Sequence, residues 1–189
     1  MRMRGAMDTY DALRFRRSAK SYGTLAPPRE VLARIIEAAT WAPNHRTTEP
    51  WRFVVLQGDA RSRFGEALVP ELDSPKAVEA LRTKVVRSPV LIVVAQHRGE
   101  ATLASPVLDL EDYGATCAAV QNLLLAAHAE GLAAKWSTGE MAESAAARAH
   151  LGFGESDRIV ALVYLGVAEA GDGEVVAPKR GEPRVDWRE

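Results

Sequence analysis

The sequence predicts one mixed domain in which strands and helices alternate, and three observations carry that expectation. Short apolar runs at residues 52–57, 90–95 and 159–166 have the length and composition of strands. Stretches with apolar residues three to four positions apart lie between them and read as helices. At 189 residues the chain supports one substantial hydrophobic core and is short for two.

The elements follow in order. Residues 8–17 read as a first helix with Asp8 at its N-cap. Pro27 and Pro28 break the chain, and a second helix runs to Thr40 on Val31, Leu32, Ile35, Ile36 and Ala39, stopped by Pro43. A strand over 52–57 closes at Gly58-Asp59. Helices are expected over 60–68 and 75–86, then a buried strand over 90–95. The longest helix is expected over about 107–130, rich in small residues that let a neighbouring helix approach closely. Gly131 ends it, followed by a strand at 132–136, a helix at 143–151 and a last apolar strand at 159–166. The tail from 171 to 189 and residues 1–7 are expected to be peripheral, with no core of their own.

Composition excludes several classes. With Lys+Arg 24 against Asp+Glu 25 and a net charge of -1, the broad electrostatic footprint of a nucleic-acid binder is absent. No stretch reaches the ~18 apolar residues of a membrane span, and no apolar core follows the charged start as in a signal peptide. The single cysteine, Cys117, cannot form an internal disulfide and points to a reducing compartment, so a cytoplasmic location is expected. A core position suits it better than a reactive thiol does. Gly152-Phe153-Gly154-Glu155-Ser156-Asp157 lacks the third glycine of a dinucleotide fingerprint, and there is no P-loop. Neither metal-ligand spacing nor a Ser-His-Asp pattern is found.

Two segments stand out against this background. Arg14-Phe15-Arg16-Arg17-Ser18-Ala19-Lys20 concentrates positive charge at the end of the first helix. Guanidinium forks and a neighbouring hydroxyl match phosphate oxygens. The same cations also suit a solvated helix C-terminus, where they complement the macrodipole. The second segment, Trp41 to Trp51, holds His45 in an irregular stretch between a helix and a strand. His45 suits a ligand contact or a plain surface or capping role. Trp41 and Trp136 stand beside loops, where an indole meets a planar ligand or simply packs. Together the segments suggest a bound phosphorylated cofactor.

Taken jointly, these blocks resemble the nitroreductase family. Arg16-Arg17-Ser18-Ala19-Lys20 is similar to its R-R-S-x-R/K opening, and Ala42-Pro43-Asn44-His45 through Pro50-Trp51-Arg52-Phe53 to its A-P-[SD]-x-x-x-x-x-P-W-x-F segment. Gln121 to Ala127, then Gly131-Leu132 and Trp136, resemble its central helix and the strand after it. His45 and the short chain resemble the compact YdjA-like branch. The resemblance implies an α+β fold, a mainly antiparallel central sheet flanked by helices, in a homodimer with FMN between subunits. It implies that Arg16, Arg17 and Ser18 bind the FMN phosphate and ribityl region and that Lys20 lies near the pyrimidine edge. A cation there would stabilise the negative charge a reduced flavin gathers. Trp41 and His45 would reach the cofactor of the other subunit, and Trp136, Ser137 and Thr138 would line the isoalloxazine.

Glu49 departs from the family's usual Gln and leaves an acceptor-only anion there. Arg180, in Pro178-Lys179-Arg180, resembles an element that helps hold the phosphate. The activity implied is hydride transfer from NAD(P)H through FMN to an electron-poor small molecule such as a nitroaromatic or quinone. The alternatives are a non-catalytic flavin carrier and a flavin enzyme acting on another small metabolite, by dehalogenation or dehydrogenation.

Overall fold

In the computed structural model, which describes residues 7–168 and 177–189, four antiparallel strands form one sheet in the order β1-β2-β4-β3. The strands are β1 (Trp51–Gln57), β2 (Val90–Gln96), β3 (Leu132–Ser137) and β4 (Arg158–Val167). The antiparallel α+β architecture agrees with the expectation. The helices are α1 (Thr9–Phe15), α2 (Arg29–Thr40), α3 (Asp59–Leu68), α4 (Pro75–Val86), α5 (Glu100–Ala104), α6 (Pro106–Ala129), α7 (Glu140–Glu143) and α8 (Ala145–His150).

Helices cover both faces of the sheet. On one face Phe64 and Leu68 of α3, Leu81 and Val85 of α4, and Met141 of α7 pack on Leu91, Val93, Leu162 and Tyr164. On the other, Leu32 and Ile35 of α2 and Ala119, Val120 and Leu123 of α6 pack on Ile92, Val94, Ala161 and Val163. Successive residues of β2 and β4 therefore point into two different cores. Both strands read as continuous apolar runs because neither face meets water. Each fully buried Leu or Ile contributes about 1.5–3 kcal/mol.

The local chemistry explains the boundaries. Asp8 accepts from the Tyr10 and Asp11 amides at 2.9 and 3.4 Å and starts α1. Ser74 caps α4 and Ser105 caps α6, each followed by Pro at the first helical position. The helix expected at 143–151 is α8, which starts two residues later because Ser144, at extended ψ 125°, is its N-cap and accepts from the Ala147 amide; the single turn of α7 before it was not expected. The short helix α5 was not expected, having too few residues to show a period. Cys117 also differs from expectation: it is half-buried on α6, not part of either core.

The outer strand β3 has a free edge, and the chain just after α1 lies on it. Ser18 forms a parallel bridge with Ala134, and the Ala19 amide donates to the Ala134 carbonyl at 3.0 Å. This contact brings the basic segment to the sheet.

Candidate functional site

Helix α1 ends at Phe15, and Arg16 leaves it with extended ψ 131°. The Arg17 guanidinium turns back onto the carbonyls of Arg14 and Arg16 at 2.8 and 2.7 Å, so it lies over the end of α1. Arg16 behaves differently. Burial first, then the cations of Arg17 and Arg180, push its guanidinium below its ordinary value. Among the described residues no carboxylate pairs with it. The charge of Arg180 is thus felt at Arg16, although about 160 residues separate them in sequence. Residues 171–176 lie outside the described residues.

Like charges gathered around a half-buried guanidinium repel one another and lack protein compensation at Arg16. A bound anion such as a phosphate would offset that repulsion, through charge-assisted bonds of ~1.5–3 kcal/mol each. Ser18, exposed beside Arg17, adds a hydroxyl. Lys20 is exposed and no contact ties it to another side chain among the described residues.

The second segment forms an exposed loop after α2. Trp41, the C-cap of α2, is 79% exposed, a costly position for an indole. His45 opens a short 3-10 turn, His45–Thr47, and its Nε2 accepts from Arg46 Nε at 3.0 Å. Arg46, Thr47 and Glu49 have φ of 56°, 50° and 43°. Non-glycine residues there cost on the order of 1 kcal/mol or more each, and such strain collects at functional sites. Glu49 is exposed, and its amide donates to Asn44 Oδ1 at 2.7 Å.

Strand β3 ends at the third group. Trp136 is half-buried, packs against the α2–α6 core and donates its Nε1–H to the Val160 carbonyl at 3.1 Å. Ser137 is half-buried, Thr138 exposed, and Gly139 turns the chain at φ 96° into α7. The structure therefore brings Arg16, Arg17 and Ser18 beside β3, whose end carries Trp136, Ser137 and Thr138, and the Arg180 charge acts on Arg16. It joins neither Trp41 nor His45 to them by any contact within one chain among the described residues.

Two polar clusters went unread in the sequence. Asp112 on α6 is 1% exposed and accepts from Thr48 Oγ1 at 2.6 Å and Thr102 Oγ1 at 3.1 Å. Its signal was its register: it falls on the buried stripe with Ala115, Thr116 and Ala119. In the other, Asp109 is gripped by Arg98 at 2.8 and 2.9 Å and by Arg158 at 3.2 Å, with Gln96 Nε2 at 2.8 Å. Burial alone would raise its carboxyl; the bonds from Arg98, Gln96 and Arg158 and the Arg158 charge hold it below the usual range.

Cys117 is not an activated thiol. Burial pushes it up, only partly offset by a bond from Tyr113. No metal-binding group of three or more His, Cys, Asp or Glu side chains occurs among the described residues, and no helix among them is long and apolar enough to cross a membrane.

Comparison with known proteins identifies the family. The model for the Nitroreductase family matches residues 13–167, which include the arginine segment, the strained loop and the end of β3. The chain is similar to the Escherichia coli K12 protein named "Putative NAD(P)H nitroreductase YdjA", with 33% identity over 167 residues, 86% of this chain and 90% of that one. It is similar to the solved structure of a nitroreductase-like family protein from Bacillus cereus, with a TM-score of 0.80 and 26% identity over 98% of this chain and 95% of that one. It is also similar to a "putative nitroreductase" from Desulfovibrio desulfuricans solved in complex with FMN, at TM-score 0.69 and 27% identity over 93% and 96% of the two chains. Matched along most of its length in both sequence and fold, this chain belongs to the nitroreductase family.

Proposed function

We propose that the chain is an FMN-dependent oxidoreductase that takes electrons from NAD(P)H and delivers them to an electron-poor acceptor such as a nitroaromatic or quinone. The observation that carries this reading is the cation cluster of Arg16, Arg17 and Arg180, in which Arg16 has no carboxylate partner among the described residues. The FMN complex of the Desulfovibrio protein and the NAD(P)H in the name of the Escherichia coli relative support the cofactor and the donor.

In this reading Arg16, Arg17, Ser18 and Arg180 hold the phosphate and ribityl region, and Lys20 sits at the pyrimidine edge, where a cation favours the reduced form. Trp136, Ser137 and Thr138 line the ring system. Trp136 serves as a fixed wall, because its N–H is already committed to Val160. When bound, FMN would supply the hydride chemistry that no protein side chain offers, accepting at N5 and passing the electrons on in a ping-pong sequence.

Trp41 and His45 act from a second copy of the chain, which makes the working unit a homodimer. The exposed apolar side chains support this. Val107 and Leu110 on α6 are 69% and 70% exposed, beside Leu103 on α5. Tyr10 and Leu13 are exposed on α1, which packs against α6. So much apolar surface on neighbouring elements marks an interaction face.

The deciding experiment is the absorption spectrum of purified protein, before and after anaerobic addition of NADPH. A flavin band that bleaches supports the enzyme. A band that stays favours a flavin carrier, and protein that neither binds added FMN nor oxidises NAD(P)H removes the proposal.

A further inference from the structure

The loop from Asn44 to Glu49 is held in a form its own sequence does not favour, and a buried carboxylate anchors it to α6. Thr48 donates its hydroxyl to Asp112 Oδ1 at 2.6 Å and accepts from Asn44 Nδ2 at 2.9 Å, while Asn44 Oδ1 receives the Glu49 amide at 2.7 Å. These bonds form a directional relay from the loop backbone to the inside of α6, and each polarises the next. The other Asp112 oxygen takes the Thr102 hydroxyl at 3.1 Å, and the Asp112 carbonyl receives Thr116 Oγ1 at 2.8 Å, so the residue itself cannot swing.

Asp112 is 1% exposed, yet no ion pair compensates it among the described residues. A buried carboxylate satisfied by hydroxyls alone is a poor way to gain stability, since an apolar residue of similar size would avoid the desolvation cost. Here it coincides with three left-handed non-glycine residues, one of them the β-branched Thr47. The loop it restrains presents His45, whose Nε2 accepts from Arg46. In the neutral ring that bond puts the proton on Nδ1 and leaves Nδ1–H free to donate outward.

We infer that Asp112 is a positioning residue: through Thr48 and Asn44 it latches the 44–49 loop in the conformation that presents His45 to the cofactor pocket of a second copy of the chain. The inference rests on the proposed flavin function. It assigns the latch no contact with cofactor or substrate.

Thr48→Val removes the relay hydroxyl while keeping the side-chain branch, and Asp112→Leu, which removes both acceptor oxygens at similar size, provides a second variant should the first fold poorly. In cofactor-free protein, hydrogen exchange of the Glu49 amide is expected to quicken at least tenfold in both, with exchange in β2 and β4 unchanged. With FMN bound, kcat/KM for a benzoquinone acceptor is expected to fall about tenfold in Thr48→Val and in His45→Ala. The double variant should then be no worse than His45→Ala alone, since both act through one side chain. Unchanged loop exchange, unchanged turnover in either single variant, or losses that multiply in the double variant, would overturn the latch. If the wild-type chain takes up no FMN, the flavin function fails, and the purpose assigned to the latch fails with it whatever the exchange shows.

Discussion

The Ala19 amide donates to the Ala134 carbonyl at 3.0 Å, so the residues after α1 sit on the open edge of β3. This one bond connects the basic segment to the strand that ends in Trp136, Ser137 and Thr138. It also covers part of a sheet edge that would otherwise be available for pairing with another chain. The anion-binding end and the ring-lining end of the proposed pocket thus share one rigid support.

Arg16→Ala with Arg17→Ala should abolish FMN retention while the fold survives, since both guanidinium groups lie outside the two cores. Two charge-assisted contacts of ~1.5–3 kcal/mol each amount to a loss of affinity of roughly 100-fold or more. Fluorescence titration with FMN measures this loss, and a circular dichroism melt checks that the fold is kept. Unfolding, or unchanged affinity, contradicts the assignment.

Leu110→Glu should separate the proposed dimer, because it puts a charge in the middle of the exposed apolar face of α5 and α6. Sedimentation should show the wild type as a dimer and the variant as a monomer that has also lost FMN, since Trp41 and His45 would no longer reach a partner's cofactor. A monomeric wild type that holds FMN tightly would refute the shared pocket.

Asp157 should contribute to acid sensitivity. Burial would raise its carboxyl, but the amides of Arg98 and Gly154, the His97 ring and the His97 charge outweigh it and hold it below the ordinary range. A depressed folded value means stability that is present above the unfolded value near ~3.9 and is lost as pH falls through the folded one. Melting curves should therefore show stability falling as pH drops below about 4. Asp157→Asn should lose about 1–3 kcal/mol at neutral pH and show a shallower acid limb.

Gly166→Ala should destabilise the fold by overpacking. A Cβ there would lie 2.8 Å from Pro89 Cδ and 3.2 Å from Tyr22 Cβ, at a buried position one residue from the end of β4. A ring cannot yield as a flexible chain end does, so a loss of about 1–3 kcal/mol is expected, seen as a Tm several degrees lower.

What could be read from the chain alone was whatever local chemistry controls. Helix α4 was expected with its observed bounds, since Pro75 opens it and its apolar period is regular. Strands β2 and β4 were legible as apolar runs because burial on both faces leaves no room for polar residues. The Arg16-Arg17-Ser18 segment was legible as a cluster of one charge in a nearly neutral chain. Tertiary structure decided the remainder. The order of the strands in the sheet, the effect of the Arg180 charge on Arg16, and the Thr48–Asp112 bond across 64 positions depend on which distant surfaces meet. A linear pattern records a residue's own preference and its near neighbours', whereas a buried carboxylate's partners and a cation's missing counter-charge exist only once the layers have packed.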